Sequence, residues 1–338
     1  MIGSLLGDIV GSRFEFISTQ EREAKLFHSA CSWTDDSVCT YAVALACEKI
    51  IADSVVDEED IEKIFFKQFK KAINSHPMAG YGKKFFSWSQ NKYYESTDSA
   101  ANGCLMRISP IVMYFNDLET IQRIGRICTQ TSHNHPDSFK NVAALLDIMF
   151  YLKTNSKSEV AQLKNEVIKI CSKHEVIVEP LETYHKLAGY WILAKDTLPR
   201  AIAAYLNTPD FDTTFRNVIY IGSDTDTTAT IAGALSELTY GVEPKHLDEF
   251  YRYYDHKSFD ILKQICQPYL NQEELSLKLY GEEGFSKIKE LYSYHAVDPT
   301  ASYDPLEIQS DEKYYKVILK PTLKERLLRL FKYGAGNQ

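Results

Sequence analysis

Between Arg216 and Lys245 the chain has no lysine, arginine or histidine. Asp224 and Asp226 stand inside that gap, in IGSDTDTTATIAG (residues 221–233), directly before a run of Ala, Thr, Ile and Gly suited to burial. The gap excludes neutralisation by a cation close in sequence. Two buried carboxylates without a counter-charge are costly, and they protonate or recruit a cation. Other scarcities narrow the class of protein. No apolar run approaches the ~18 residues that a membrane helix needs, so no transmembrane segment is expected. Basic residues are outnumbered, 38 Lys and Arg against 46 Asp and Glu. The resulting net charge of −8 argues against a broad nucleic-acid or anionic-membrane partner. The seven cysteines are scattered, odd in number and without a CxxC pair. A disulfide framework or thiolate zinc site is therefore not expected, and a reducing compartment is the default. Asp8 and Arg13 interrupt the opening MIGSLLGDIVGSRFE too early for a secretory leader. A cytoplasmic location is the expectation; secretion into a host cell by a signal-peptide-independent route is the alternative.

What is present is mostly helical. Apolar residues make up 44% and charged residues 25%, as in an ordinary soluble globular protein. Apolar positions recur at helical spacing over Thr34–Ile51, Glu58–Ile73, Pro136–Leu152, Ser158–Cys171, Leu198–Leu206 and Thr225–Tyr240. Gly3, Gly7 and Gly11 recur every four residues and predict a buried first helix closely approached by a neighbour. Strand alternation is rare, with Tyr314–Leu319 the best candidate. The expected fold is all-α with many short helices. Residues 1–250 read as the core and 251–338 as an appended region rich in Tyr, Lys and Glu, probed by no motif of its own. Its end, KPTLKERLLRLFKYG, has an amphipathic pattern that suits docking on the core or contact with a membrane surface or partner.

Acidic residues gather at two predicted helix starts. Thr34, Asp35 and Asp36 precede one apolar helix, and Ser223, Asp224 and Asp226 open another. Each set alone reads as a cap favoured by free helical N–H groups and the helix dipole. If the two starts meet, Thr34, Asp35, Asp36, Asp224, Asp226 and Thr227 offer six hard oxygen ligands. Such a set suits Mg²⁺, Mn²⁺ or Ca²⁺, not zinc or copper, and four carboxylates compensate two divalent ions.

The stretches GDIVGSRFE, TDDS, AGYGKKFFSW, NGCLMRISPI, SHNHPDSF and GSDTDTTATIAGALSELTYG occur in an order that resembles the ADP-ribosylglycohydrolase family, over about residues 1–245. The resemblance implies a compact orthogonal helical bundle with a binuclear Mg²⁺ or Mn²⁺ centre. It implies Thr34, Asp35, Asp36, Asp224, Asp226 and Thr227 as metal ligands, with Asp226 bridging. Glu15, which closes the GDxxGxxxE pattern, falls beside the metals on a segment needed for activity. Gly80 and Gly82 match positions of backbone approach to the diphosphate or ribose, and Gly103 suits the same use. Ser99 and Asn102 match a loop around ADP-ribose, and His133 a position near the distal part of the ligand. Arg107, His135, Trp33 and Trp88 read as structural. Three departures stand out: Ser223 follows Gly222 where relatives commonly carry two glycines, LAKDTLPRAIAAYL replaces a Gly/Ser-rich segment, and DSAANG has Ala100 and Ala101 where relatives often have an aromatic residue or a glycine.

The implied reaction is release of ADP-ribose from a modified protein side chain, arginine first, by attack of metal-activated water at C1″. Glu15, Asp35 and Asp36 are the candidates for acid and base chemistry. The partners are an ADP-ribosylated protein as substrate and ADP-ribose as product, and a monomer is expected. Competing readings are hydrolysis of serine- or acetyl-linked ADP-ribose, a non-catalytic ADP-ribose binder, and an all-α protein whose acidic clusters are only caps.

Overall fold

The computed structural model describes residues 1–16, 22–187, 189–254 and 258–294. Among them are sixteen helices and no strand; Ala101 and Leu193 form an isolated antiparallel bridge. In chain order they are α1 (Ile2–Ser12), α2 (Asp35–Ala52), α3 (Glu58–Ser75), α4 (Lys83–Gln90), α5 (Gly103–Met106) and α6 (Ser109–Tyr114). There follow α7 (Leu118–Gln130), α8 (Pro136–Thr154), α9 (Val160–Lys173), α10 (Leu181–Lys186) and α11 (Ala194–Leu206). The last five are α12 (Phe211–Ile221), α13 (Thr225–Tyr240), α14 (Pro244–Arg252), α15 (Phe259–Leu270) and α16 (Glu273–Tyr294), the last broken at Gly281. The all-α expectation holds. The Tyr314–Leu319 strand and the amphipathic tail lie outside the described residues.

Local chemistry explains the boundaries. Thr34 caps α2 by accepting from the Asp36 amide, Asp57 caps α3 through Asp60, and His135 caps α8 through Asp137, which makes His135 structural. One boundary differs from expectation. The helix expected over Leu198–Leu206 begins four residues earlier, at Ala194, and runs through Pro199. The turn before the proline closes without it, because the Asp196 and Thr197 amides both donate to the Leu193 carbonyl at 3.0 Å.

The centre of the protein is the pairing of α1 with α13. Every residue from Ile2 to Gly11 is buried, as is every residue from Thr225 to Leu238. The glycine repeat faces α13. A methyl group on Gly7 would lie 2.1 Å from the Ala229 carbonyl oxygen, and one on Gly3 would lie 2.3 Å from that of Gly233. At Gly11 the nearest atom would be the Thr225 carbonyl oxygen at 2.3 Å, and the Thr225 hydroxyl donates to the Gly11 carbonyl at 2.8 Å. Backbone meets backbone along this seam, so the acidic ends of both helices lie side by side. Residues beyond 258 brace the far end. Glu237 of α13 accepts from the Tyr269 hydroxyl at 2.5 Å and from Tyr280, and pairs with the Met1 ammonium at 2.7 Å.

Replacing Gly7 with alanine inserts a methyl where only the backbone fits. We expect Gly7→Ala to cost about 1–3 kcal/mol or more, read as a lower urea midpoint. An unchanged midpoint would mean that α1 is not seated against α13.

Candidate functional site

The two acidic helix starts meet. The Thr227 hydroxyl of α13 donates to Asp36 Oδ2 of α2 at 3.3 Å. Carboxylate oxygens of Asp8, Asp36 and Asp226 lie within 4.8 Å of one another, and so do those of Glu15, Asp224 and Asp226. Asp8, Asp36, Asp224, Asp226 and Thr227 are buried, while Thr34, Asp35 and Glu15 are partly exposed. Among the described residues no lysine, arginine or histidine forms an ion pair with any of these six carboxylates. Asp36 Oδ1 is buried without a hydrogen-bond partner. A buried acceptor left over in an all-oxygen, anionic set is what a hard divalent cation would satisfy, so the residues present fit Mg²⁺ or Mn²⁺.

Asp8 was not among the expected site residues. Its Oδ2 accepts from the Thr34 and Ser37 amides at 2.8 and 3.0 Å, and its Oδ1 from the Thr34 hydroxyl at 2.6 Å. The Ser37 hydroxyl also donates to it. A carboxylate of α1 thereby takes up the Thr34 and Ser37 amides that flank Asp35 and Asp36 at the start of α2, and holds that start in place. The signal for it was in the sequence: Asp8 stands in a buried run with no cation before Arg13, the same argument that singled out Asp224 and Asp226.

Asn102 joins the site. Its amide donates to Asp224 Oδ2 at 2.7 Å and to the Thr197 hydroxyl at 3.0 Å. Gly80 lies beside Asp35, whose Oδ1 would be 3.5 Å from a methyl there, and its φ of +112° disfavours any other residue. Gly82 is exposed with open space around it. Ser99 accepts from the Ala101 amide through its hydroxyl and from Ser138 through its carbonyl, in the same loop as Asn102. Gly103 packs on the His133 ring, 3.2 Å from where its methyl would sit to Nε2. His133 is buried and shares a hydrogen bond with Ser132; none of its hydrogen bonds reaches the carboxylates. Burial, and then the charge of Arg107, holds its imidazole neutral, well below the usual range. Arg107 is structural: it is fully buried, donates to the Cys128 carbonyl and Ser132 hydroxyl, and lies over the Phe69 ring. Trp88 is buried in the core, and the partly buried Trp33 stacks on Tyr254.

Withdrawal from water raises every carboxyl in the cluster. Burial brings Asp8 to about 6, against the pull of four hydrogen bonds from Thr34 and Ser37. Asp224 also reaches about 6 through burial, with the charge of Glu15 adding and the Asn102 amide subtracting. Asp35 reaches about 7 through burial and then the charge of Asp8. Asp36, Asp226 and Glu15 lie well above the ordinary range, first through burial and then through the charge of a neighbour. That neighbour is Asp226 for Asp36 and Glu15, and Asp224 for Asp226.

The sequence model of the ADP-ribosylglycohydrolase family matches residues 1–251, and the chain belongs to that family. The mouse protein ADP-ribosylhydrolase ARH3 is 24% identical over 314 residues, covering 72% of this chain and 83% of that protein. The human protein of the same name is also 24% identical, covering 72% of this chain and 85% of its own length. A solved "ADP-ribosylglycohydrolase-related protein complex" shares the fold, with a TM-score of 0.53 and 18% identity over 83% of this chain and 95% of the other.

The raised acids set a pH dependence. The folded protein keeps protons up to about 6 to 7 on Asp8, Asp224 and Asp35. The unfolded chain releases the same protons near its ordinary value of about 4. Between those limits the native state binds more protons, so stability falls as pH rises. Divalent ions displace the protons and bind more tightly as pH rises. We expect the melting temperature in EDTA to fall from pH 4 to 7 relative to that in saturating Mg²⁺ or Mn²⁺, so the gap between the two profiles widens. Parallel profiles would contradict the metal reading.

Proposed function

We propose that this chain is a metal-dependent ADP-ribosylhydrolase that removes ADP-ribose from modified protein side chains, arginine first, by attack of water at C1″. The observation that carries the reading is the gathering of five carboxylates at the α2 and α13 starts, those of Asp8, Asp36 and Asp226 and of Glu15, Asp224 and Asp226, unpaired with any Lys, Arg or His among the described residues, with Asp36 Oδ1 unsatisfied. Membership of the ADP-ribosylglycohydrolase family and the likeness to proteins named ADP-ribosylhydrolase supply the substrate class. Thr34, Asp35, Asp36, Asp224, Asp226 and Thr227 would hold two Mg²⁺ or Mn²⁺ ions. Bound there, the ions supply charge compensation and bring the pKa of a water toward neutrality.

The chain's own residues do the rest. Glu15 stands beside Asp226 yet outside the two helix-start motifs, so it is free to orient the attacking water and take its proton. A guanidine leaving group is a strong base and must depart protonated; Glu15, Asp35 and Asp36 are the acids within the site. Asn102 orients Asp224, and Asp8 orients Thr34. Gly80 gives backbone access beside Asp35, with Gly82, Ser99, Gly103 and His133 as the further ligand-side positions. All seven cysteines are buried and free, which supports a reducing, cytoplasmic setting. Residues 1–250 form the catalytic part in this reading. The extension from 251 contributes support, since its tyrosines brace Glu237.

Two variants test the proposal on arginine-, serine- and acetyl-linked ADP-ribose. Asp35→Ala with Asp36→Ala should abolish hydrolysis and weaken divalent-ion binding by calorimetry while helical content persists; unchanged ion binding would refute the ligand assignment. Glu15→Gln should keep ADP-ribose affinity within a few-fold, because another negative charge gains nothing from an anionic diphosphate, while turnover falls about 10²–10⁴-fold. Full turnover in Glu15→Gln would remove Glu15 from the chemistry. Tight ADP-ribose binding with no turnover on any linkage by the unmutated protein would instead mark a sequestering binder.

A further inference from the structure

Glu15 has other carboxylates on one side and a neutral hydroxyl donor on the other. Its carboxylate lies within 4.8 Å of those of Asp224 and Asp226, which repel it whenever all are ionised. The donor is the Tyr190 hydroxyl, 2.9 Å from Glu15 Oε1 and 175 residues away in sequence. We propose that Tyr190 is the positioning residue of Glu15, and that the segment carrying it is built to hold it there.

Backbone geometry supports this. Four described residues other than glycine have positive φ: Phe16, Ser54, Glu175 and Ser223. Ser54 and Glu175 end helices α2 and α9, where left-handed residues are common. Phe16 and Ser223 differ. Phe16, at +65°, lies four residues past α1, and Ser223, at +81°, follows Gly222, which already breaks α12 at +72°. Both touch the Tyr190 segment. The Phe16 ring packs on the Tyr190 ring with centroids 4.9 Å apart, and the Ser223 hydroxyl accepts from the Trp191 amide at 2.8 Å. Strained backbone persists where the surroundings over-determine it, and it clusters at working sites.

The same segment is tied to the opposite wall. The Asn102 amide donates to the Ile192 carbonyl at 2.8 Å, and the Ala194 amide to the Ala100 carbonyl at 2.9 Å. The Arg200 guanidinium lies 5.0 Å over the Trp191 ring. Tyr190 is thus anchored through its neighbours to Asn102, which orients Asp224, and to Ser223, which precedes it. Ser223, one of the places where the sequence departs from its family resemblance, is hydrogen-bonded to the 190–193 segment, which leads into a second such place, LAKDTLPRAIAAYL at 193–206. The Tyr190 phenol donates to Glu15 Oε1 and so fixes the carboxylate that lies beside Asp224 and Asp226.

The inference rests on Glu15 acting in hydrolysis, and Tyr190→Phe tests it by removing only the hydroxyl while keeping the ring on Phe16. Turnover should fall about tenfold or more with KM within about threefold, because misplacing a catalytic group lowers the rate more than binding. In the Glu15→Gln background the same change should cost less than about twofold, since the two residues act as one unit. A readout without substrate is hydrogen exchange of the Phe14 and Glu15 amides, both bonded to the Gly11 carbonyl. It should quicken about fivefold or more in Tyr190→Phe, at an unchanged melting temperature. Equal losses of turnover with and without Glu15, or unchanged turnover and exchange, would overturn the proposal. If the unmutated protein turns over no substrate, the hydrolase reading fails and exchange alone decides: faster exchange supports the Tyr190 contact, unchanged exchange overturns it.

Discussion

Six carboxylates gather at the helix starts with no lysine, arginine or histidine paired to them among the described residues, and the rest of the structure is arranged around that constraint. Within each of the two triads, Asp8, Asp36 and Asp226 and Glu15, Asp224 and Asp226, carboxylate oxygens lie within 4.8 Å of one another and repel whenever they are ionised, so donors must hold the helix starts in place. The donors are here: Thr34 and Ser37 on Asp8, Asn102 on Asp224, Thr227 on Asp36, and Tyr190 on Glu15. They orient the carboxylates without neutralising them. The charge is left for something the chain does not itself provide.

Holding such a cluster requires a scaffold that does not yield. The α1–α13 seam supplies it, because backbone contact at Gly3, Gly7 and Gly11 leaves no side chain to shift. The seam also explains how sequence-distant acids come together. Asp8 and Glu15 extend from α1, Asp226 and Thr227 from α13, and Asp8 reaches across to cap α2. The buried Glu237, bonded by Tyr269 and Tyr280, closes the opposite end of α13.

Much of this was legible in the sequence. The apolar face of Thr225–Tyr240 and the Thr-Asp-Asp cap of α2 are local signals, and both helices stand where periodicity and capping put them. The glycine repeat announced a close neighbour but not its identity, since contact between α1 and α13 is a long-range fact. Asp8 was overlooked because it reads as an interruption of an apolar helix, and its four donors lie on another element. Tyr190 was hidden for a related reason: its partner is 175 residues away and its segment has no periodicity. The helix read from Leu198 in fact begins at Ala194, because its first turn is closed by amides on the Leu193 carbonyl and that turn carries too little apolar periodicity to be seen.

The central claim is that the carboxylate cluster holds divalent cations between α2 and α13. Crystals of the full chain grown with Mn²⁺ and measured at the manganese absorption edge test it most directly. The account predicts two anomalous peaks, each about 2.0–2.3 Å from oxygens of Asp35, Asp36, Asp224 or Asp226, with the Asp36 Oδ1 atom among the ligands. An acidic cluster without a peak at saturating Mn²⁺, its carboxyls bonded only to one another and to water, would contradict it.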